Sequence, residues 1–485
     1  MHSTNNTEAT KAKAFGGIKW TSLSTITTSI IQLAQMSLLA HLLHPEDFGL
    51  MAMTIVILGF AHCFADMGLS NAIIFKQEIS GKALSSLYWA TIISGIVVFL
   101  VVLGSAYPAS VFFNEPRIGA LLRWSAPVFL IISFGQPFQA LLQKELRFKV
   151  IALAEIIGAA SGFTLALVLA VNHVGVYALI AGHVSQAVIR SILVAFFEAK
   201  YWRPSLYINL QEIKELLIFG AYQMGERSLN FLKTNVDKLL MGRLLGAGSL
   251  GFYTVPFQLM VRPVLLLNSI VTRVAFPLLS RVQNDDEKTG RGYLEMIELV
   301  SFYSMPLYMG LFVSAEPLIS LYLGPGWEPS IPVFKVIVFL GIFIALGNPI
   351  GSLVLARGRA DMGFWLNVYA FVLNALAVII GSYWGLLGVC WAILLCMIFL
   401  LFPVNFWITK RVANIQPIKL MMAILPSLIL SLIMLSALLV IRLYLPQQSL
   451  IRITMLTLSG TGIYTLLNVI FRKKYIKKTI QVLRS

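Results

Sequence analysis

Long apolar stretches, each closed by a short polar or glycine-containing segment, follow one another from residue 15 to residue 471. Runs such as TIISGIVVFLVVLG (91–104) and LMMAILPSLILSLIMLSALLVI (420–441) are continuous. A membrane barrel would instead alternate apolar and polar residues over about ten positions. A hydrocarbon core about 30 Å thick takes about 20 helical residues per crossing, and unsatisfied backbone groups there leave helices as the other solution. The pattern therefore predicts an all-α polytopic membrane protein with 14 transmembrane helices. The first six spans are placed at 15–40, 49–73, 83–107, 118–142, 149–171 and 174–197. Six more follow at 213–241, 250–278, 295–320, 331–356, 362–382 and 385–408, with a last pair at 417–443 and 450–471.

Composition agrees that lipid is the solvent: 58% of the 485 residues are apolar and 12% are charged, against about 25% charged in soluble proteins. A net charge of +16 would suit nucleic acid if it were gathered on one module. Here the bases sit in small groups between apolar runs, so no nucleic-acid partner is expected. Sorted by the spans, 25 of the 37 Lys and Arg fall on the side shared with the N-terminus and about four on the other. This bias places both termini in the cytosol. The tail cluster RKKYIKK (472–478) reads either as a topology and anionic-lipid anchor or as a partner site. The polar start MHSTNNTEAT leads into the first span without a small-residue cleavage site, so a retained span is expected and no cleaved signal peptide.

Other candidate chemistry is sparse. Cys63, Cys390 and Cys396 lie within apolar runs without C-x-x-C spacing and read as packing residues; no metal site or disulfide is expected. His41 and His44 frame an external turn. Trp20, Trp202, Tyr322 and Trp327 fall near span ends, as in an interfacial belt. The loops are too short to hold a catalytic domain, and no enzyme is expected.

Two segments recur. AHLLHPEDFGLMAM (40–53) and GRLLGAGSLGFYTV (242–255) share a Leu-Leu pair and a glycine at an offset of 202; GQPFQALLQKELRF (135–148) resembles GNPIGSLVLARGRA (347–360) at an offset of 212. They imply two six-helix lobes, 15–197 and 213–408, joined by a cytosolic linker at 198–212. A cytosolic tail, 1–14, precedes the lobes; two extra helices, 409–471, and a basic tail, 472–485, follow them. Six spans per lobe make the repeats parallel, related by a pseudo-two-fold along the membrane normal, with a substrate path between them. No filter-like sequence supports a channel. Pro127, Pro137, Pro256, Pro263, Pro306 and Pro349 near span interiors read as packing kinks or, at some position, a gating bend.

The seventh span carries Gln223, Glu226, Asn230, Lys233 and Asp237 at spacings of three and four, along one helical face. Its counterpart in the first span holds Thr21, Ser24, Thr28 and Gln35. The eighth holds Gln258, Arg262, Ser269 and Arg273, and the sixth holds Arg190 below His183 and Gln186. Charges at membrane depth face protein or a water-filled cavity. Two readings follow. Glu226 and Asp237 neutralise neighbouring bases and assemble the lobes, or they serve ion coupling. Arg262, Arg273, Lys233 and Arg190, with Gln35, Asn230 and Gln258, line a positive chamber suited to a phosphate-bearing ligand. His62 and Asp66 lie one turn apart and read as a structural hydrogen bond or as an H+ or Na+ coupling pair. The substrate-binding set is thus Arg262, Arg273, Lys233, Arg190, Gln35, Asn230 and Gln258; the coupling or gating set is Asp66, His62, Glu226 and Asp237.

The segments KAFGGIKWTSLSTI (13–26), LLHPEDFGLMAM (42–53), FADMGLSNAII (64–74) and NVDKLLMGRLLGAGSLGFY (235–253) resemble the bacterial polysaccharide exporters of the multidrug, oligosaccharidyl-lipid and polysaccharide flippase superfamily. The resemblance covers nearly the whole chain and is nearest to the subgroup handling colanic and teichuronic acids. It implies a flippase in the bacterial inner membrane that moves undecaprenyl-diphosphate-linked exopolysaccharide or lipopolysaccharide repeat units to the external leaflet by alternating access, ion-coupled, beside a polysaccharide polymerase. It also implies a cationic central cavity, without fixing its residues. A multidrug antiporter or a peptidoglycan-precursor flippase of the same superfamily, and a non-transporting scaffold of a glycan-synthesis complex, are the other readings. An antiporter for cations would favour an acidic cavity, and the middle spans carry more bases than acids.

Overall fold

The computed structural model describes residues 2–65, 67–75, 79–281 and 285–472, with side chains except at 2–15, 71–72, 75, 266–281 and 360. The chain forms two compact units, Met1–Gly251 and Phe252–Ser485. The first contains α1 (His2–Ala40), α2 (Pro45–Ala65), α3 (Leu69–Phe75), α4 (Gly81–Phe113), α5 (Arg117–Ser125), α6 (Val128–Lys144), α7 (Phe148–Val171) and α8 (Val176–Glu198). Helix α9 (Lys214–Arg281) begins in the first unit and continues in the second. There it is followed by α10 (Asp286–Val313), α11 (Ala315–Leu323), α12 (Ser330–Ala356), α13 (Ala360–Ser382) and α14 (Gly385–Cys396). A π-helical turn, Met397–Leu401, leads into α15 (Phe402–Ala413), α16 (Pro417–Tyr444) and α17 (Ser449–Phe471).

As one rod the 68 residues of α9 would extend about 100 Å, several times the core of a bilayer. Gly246 interrupts it with φ 79° and ψ 177°, a conformation that a side chain disfavours and glycine adopts freely. The expected spans 213–241 and 250–278 lie on either side of this break. Thirteen helices among the described residues are long and apolar enough to cross a membrane with α9 counted once, so its division gives fourteen crossings.

Two spans are less continuous than expected. The second, expected at 49–73, stops at Ala65; Met67 and Gly68 take φ of 46° and 66° before α3 restarts the helix. Here α9 packs backbone against backbone, since a Cβ on Gly220 would stand 2.1 Å from the Met67 carbonyl oxygen. The fourth, expected at 118–142, is split into α5 and α6 around Ala126 and Pro127. Elsewhere the first unit packs through small residues: Gly95 meets Ser133, Gly135 meets Ser191, and Gly162 meets Gly182. Lipid gives no hydrophobic drive for helix association, so close approach supplies the attraction.

The repeated glycines make a reciprocal contact. A Cβ on Gly49 would lie 1.8 Å from the Ala247 oxygen, and one on Gly251 would lie 1.8 Å from the Pro45 oxygen. Residues 247 and 251 are 45 and 49 displaced by 202. Such an exchange of partners is what a two-fold axis through the crossing generates.

In the second unit the Tyr308 hydroxyl donates to the Met260 carbonyl at 3.0 Å, and its ring occupies the space left by Gly341. Trp327 corrects the belt expectation: it is fully buried, edge-on to Phe252 at 6.1 Å, and so faces protein. Arg472 ties the end of α17 to Glu298 of α10 and, at 3.1 Å, to Ser427 of α16. Arg442 pairs with Glu316 near the opposite end of α16.

Candidate functional site

Four helices of the first unit converge on a charged pair inside their apolar spans. Arg190 of α8 donates through Nη2 to Gln139 Oε1 of α6 at 3.1 Å and to Glu155 Oε1 of α7 at 3.4 Å. The other oxygen of Glu155 accepts from Ser24 Oγ of α1 at 2.7 Å. Ser24 is buried, while about a third of each charged side chain remains accessible. Arg190 Nε is itself buried without a hydrogen-bond partner among the described residues. Space for this arrangement comes from Gly158, whose missing Cβ would touch Arg190 Cβ at 3.4 Å. Arg190 is therefore a member of an ion-paired network rather than a lone cation.

Glu155 was not among the residues expected from sequence. Its signal was a single acid in the apolar stretch VIALAEIIGAASG (150–162), and an ionisable group so placed suggests a function by default.

The seventh-span stripe lies on the first arm of α9. Glu226 and Asn230 are exposed; Lys233 and Asp237 are half-buried. Phe231 anchors this arm against α2, 6.5 Å from the Phe60 ring, where Gly59 makes room for it. His62, one turn beyond Gly59, is exposed and lies close enough to His183 for their charges to interact. Gln35 is half-buried on α1, three turns beyond Ser24. Asp66 lies outside the described residues.

In the second unit Gln258 is exposed and Arg262 half-buried. The guanidinium of Arg262 acts on Tyr322 at the end of α11, whose hydroxyl burial pushes up to about 12 against that opposing charge. The backbone of Arg273 continues the helix eleven residues on; its side chain lies outside the described ones. Lys233 and Arg262 thus belong to different units. No group of three or more metal-ligating side chains occurs among the described residues.

These features define a helical transporter-type membrane protein with charged side chains inside several spans. Residues 38–332 match the family described as polysaccharide biosynthesis protein, and the chain belongs to that family. It is 33% identical to the lipopolysaccharide biosynthesis protein WzxC of Escherichia coli (strain K12), over 80% of this chain and 79% of that one. It is also 33% identical to the teichuronic acid biosynthesis protein TuaB of Bacillus subtilis (strain 168), over 77% and 78%. Its fold is that of the Lipid II flippase MurJ in an inward closed conformation. The TM-score is 0.76 at 17% identity, with 95% of this chain and 100% of that chain covered.

Proposed function

We propose that this protein flips an undecaprenyl-diphosphate-linked oligosaccharide repeat unit from the cytosolic to the external leaflet by alternating access. One observation carries the reading: a chain of the polysaccharide biosynthesis protein family places Glu155, Arg190, Lys233, Asp237 and Arg262 within membrane-crossing helices. Ionisable groups at that depth are costly and mark the path of a polar cargo. The fold shared with a flippase supports the same class of work.

In this reading two six-helix lobes, 15–197 and 213–408, alternate about the cargo, with both termini cytosolic and the protein in the inner membrane beside a polymerase. Arg262, Arg273 and Lys233 hold the diphosphate, since guanidinium groups make directed paired hydrogen bonds to phosphate oxygens. Gln35, Asn230 and Gln258 serve the sugar hydroxyls. Arg190 reaches the cargo only by loosening from Glu155. His62, Asp66, Glu226 and Asp237 couple the cycle to H+ or Na+.

Deleting the gene while the upstream glycosyltransferases remain active tests the assignment. A lipid-linked repeat unit should accumulate with its sugar protected from hydrolase added outside the membrane. Unchanged lipid intermediate and unchanged surface polymer, in a strain without a second exporter, would refute it.

A further inference from the structure

A groove of about 570 Å³ opens between α13 and α15 and uses none of the residues assigned to transport. One wall is Met362, Trp365, Leu366 and Tyr369; the other is Val404, Trp407, Ile408 and Arg411. Both sets follow i, i+3, i+4, i+7, so each helix turns one complete stripe toward the groove. The register of the second stripe follows from Pro403. It has no N–H for the carbonyl four residues earlier, and its ring collides with that carbonyl in α geometry. The wider π turn at Met397–Leu401 relieves the conflict and rotates everything after it.

The floor is apolar, with Met362 and Ile408 buried against Ile350 and Val354. The rims are aromatic: Trp365 is 67% exposed and Trp407 54%. One end is basic. Arg411 lies over the Trp407 ring at 5.2 Å. Across from it Arg359 is oriented by Asp361, Nε to Oδ1 at 3.0 Å and Nη2 to Oδ2 at 2.9 Å, a pairing that leaves Nη1 to other acceptors. Lys410 is exposed beside them.

We propose that this groove binds one anionic glycerophospholipid of the surrounding bilayer, phosphate at Arg359 and Arg411 and acyl chain along the tryptophans. Phe364, Val372, Leu376, Ile379 and Ile380 are all exposed along α13, so most of that apolar helix faces lipid, and lipid is what reaches the groove laterally. Apolar walls alone accept any acyl chain. The guanidinium pair is what discriminates, because it offers an anionic phosphate directed, charge-assisted donors in a basic pocket between spans.

The test uses the full chain in phosphatidylcholine nanodiscs, titrated with brominated phosphatidylglycerol or brominated phosphatidylcholine. Subtracting the fluorescence of the Trp365→Phe/Trp407→Phe variant isolates the groove. Phosphatidylglycerol should quench that component at a several-fold lower mole fraction than phosphatidylcholine. Arg359→Gln and Arg411→Gln should each reduce the preference by about fivefold while quenching by phosphatidylcholine stays unchanged. Equal quenching of the unsubstituted protein by both lipids overturns the proposal. A stronger response to polyprenyl phosphate than to phosphatidylglycerol at matched mole fraction also overturns it, and assigns the groove to an isoprenoid anchor.

Discussion

Arg190 and Glu155 show how a partner alters the meaning of a charge at membrane depth. Alone, the guanidinium is a ready phosphate ligand; held at 3.4 Å from Glu155 and 3.1 Å from Gln139, it first joins three helices. Truncating one member of a fully buried pair costs about 3–5 kcal/mol, and an exposed pair is worth about 0.2–1 kcal/mol. With about a third of each side chain accessible, Arg190→Ala should fall between these, losing about 1–3 kcal/mol. The double variant Arg190→Ala/Glu155→Ala should recover at least half of that loss, because it leaves no uncompensated carboxylate. Strictly additive losses in a thermal-stability cycle would show that the two are not coupled. Arg262 has a different expectation. Arg262→Ala should reduce transfer of a defined lipid-linked oligosaccharide in vesicles at normal folded yield, and Arg262→Lys should restore it only in part, since lysine supplies charge without the planar fork. Full activity of folded Arg262→Ala would remove this residue from the phosphate site.

Helix pairs depend on positions where a side chain has no room. Alanine at Gly49 or Gly251 would put a Cβ 1.8 Å from a backbone oxygen, and a carbonyl within a helix cannot rotate away. Overpacking typically costs about 1–3 kcal/mol, and this contact belongs at or above the upper end. Gly49→Ala and Gly251→Ala should each sharply lower folded yield, whereas Gly104→Ala, with open space around it, should not. Equal yields would mean that the crossing is loose. The same helix ends carry a pH-sensitive clamp, in which Arg117 bonds Glu115 at 2.9 Å and also pairs with Glu46. The Arg117 hydrogen bond holds the Glu115 carboxyl below its usual range. Its stabilisation is therefore complete near neutrality, above the ordinary carboxylate range, and is lost as pH falls through the depressed value. Arg117→Ala should flatten that acid limb in a melting series, by no more than about 1 kcal/mol for a pair this exposed. Sequence periodicity locates the spans because lipid demands long apolar runs, and the Leu-Leu and glycine match marks the two segments as repeats without showing that they cross each other. It does not reveal the split at Met67–Gly68 or the π turn before Pro403, and it gives Pro127 only as one of six prolines that pack or kink, without singling out the break there. Those depend on which backbone lies opposite, or on a conflict within one turn that an apolar run does not reveal. Glu155 is not selected by the pattern because its partners, Arg190 and Ser24, are 35 and 131 residues away along the chain.

The sidedness of the whole protein depends on one residue. If Gly246 divides α9 into two crossings, the chain passes the membrane fourteen times, and every loop after α9 lies opposite to where a single crossing would put it. Sorted by the divided helix, 25 bases face about four, and on that reading we predict that the segments around Lys200 and Lys288 share the cytosolic side. The loop at Asn172, between α7 and α8, then lies outside. All three positions are exposed, and of the native thiols Cys390 and Cys396 are buried while Cys63 is half-buried, so a background with Cys63→Ser suits labelling with a membrane-impermeant maleimide. In intact cells Asn172→Cys should react, whereas Lys200→Cys and Lys288→Cys should react only after the membrane is opened. Labelling of Lys288→Cys from outside, with Lys200→Cys still protected, would mean that α9 crosses once. Thirteen crossings would follow, the termini would lie on opposite sides, and every span after α9 would run opposite to its counterpart in the first lobe, which a parallel two-fold repeat does not allow.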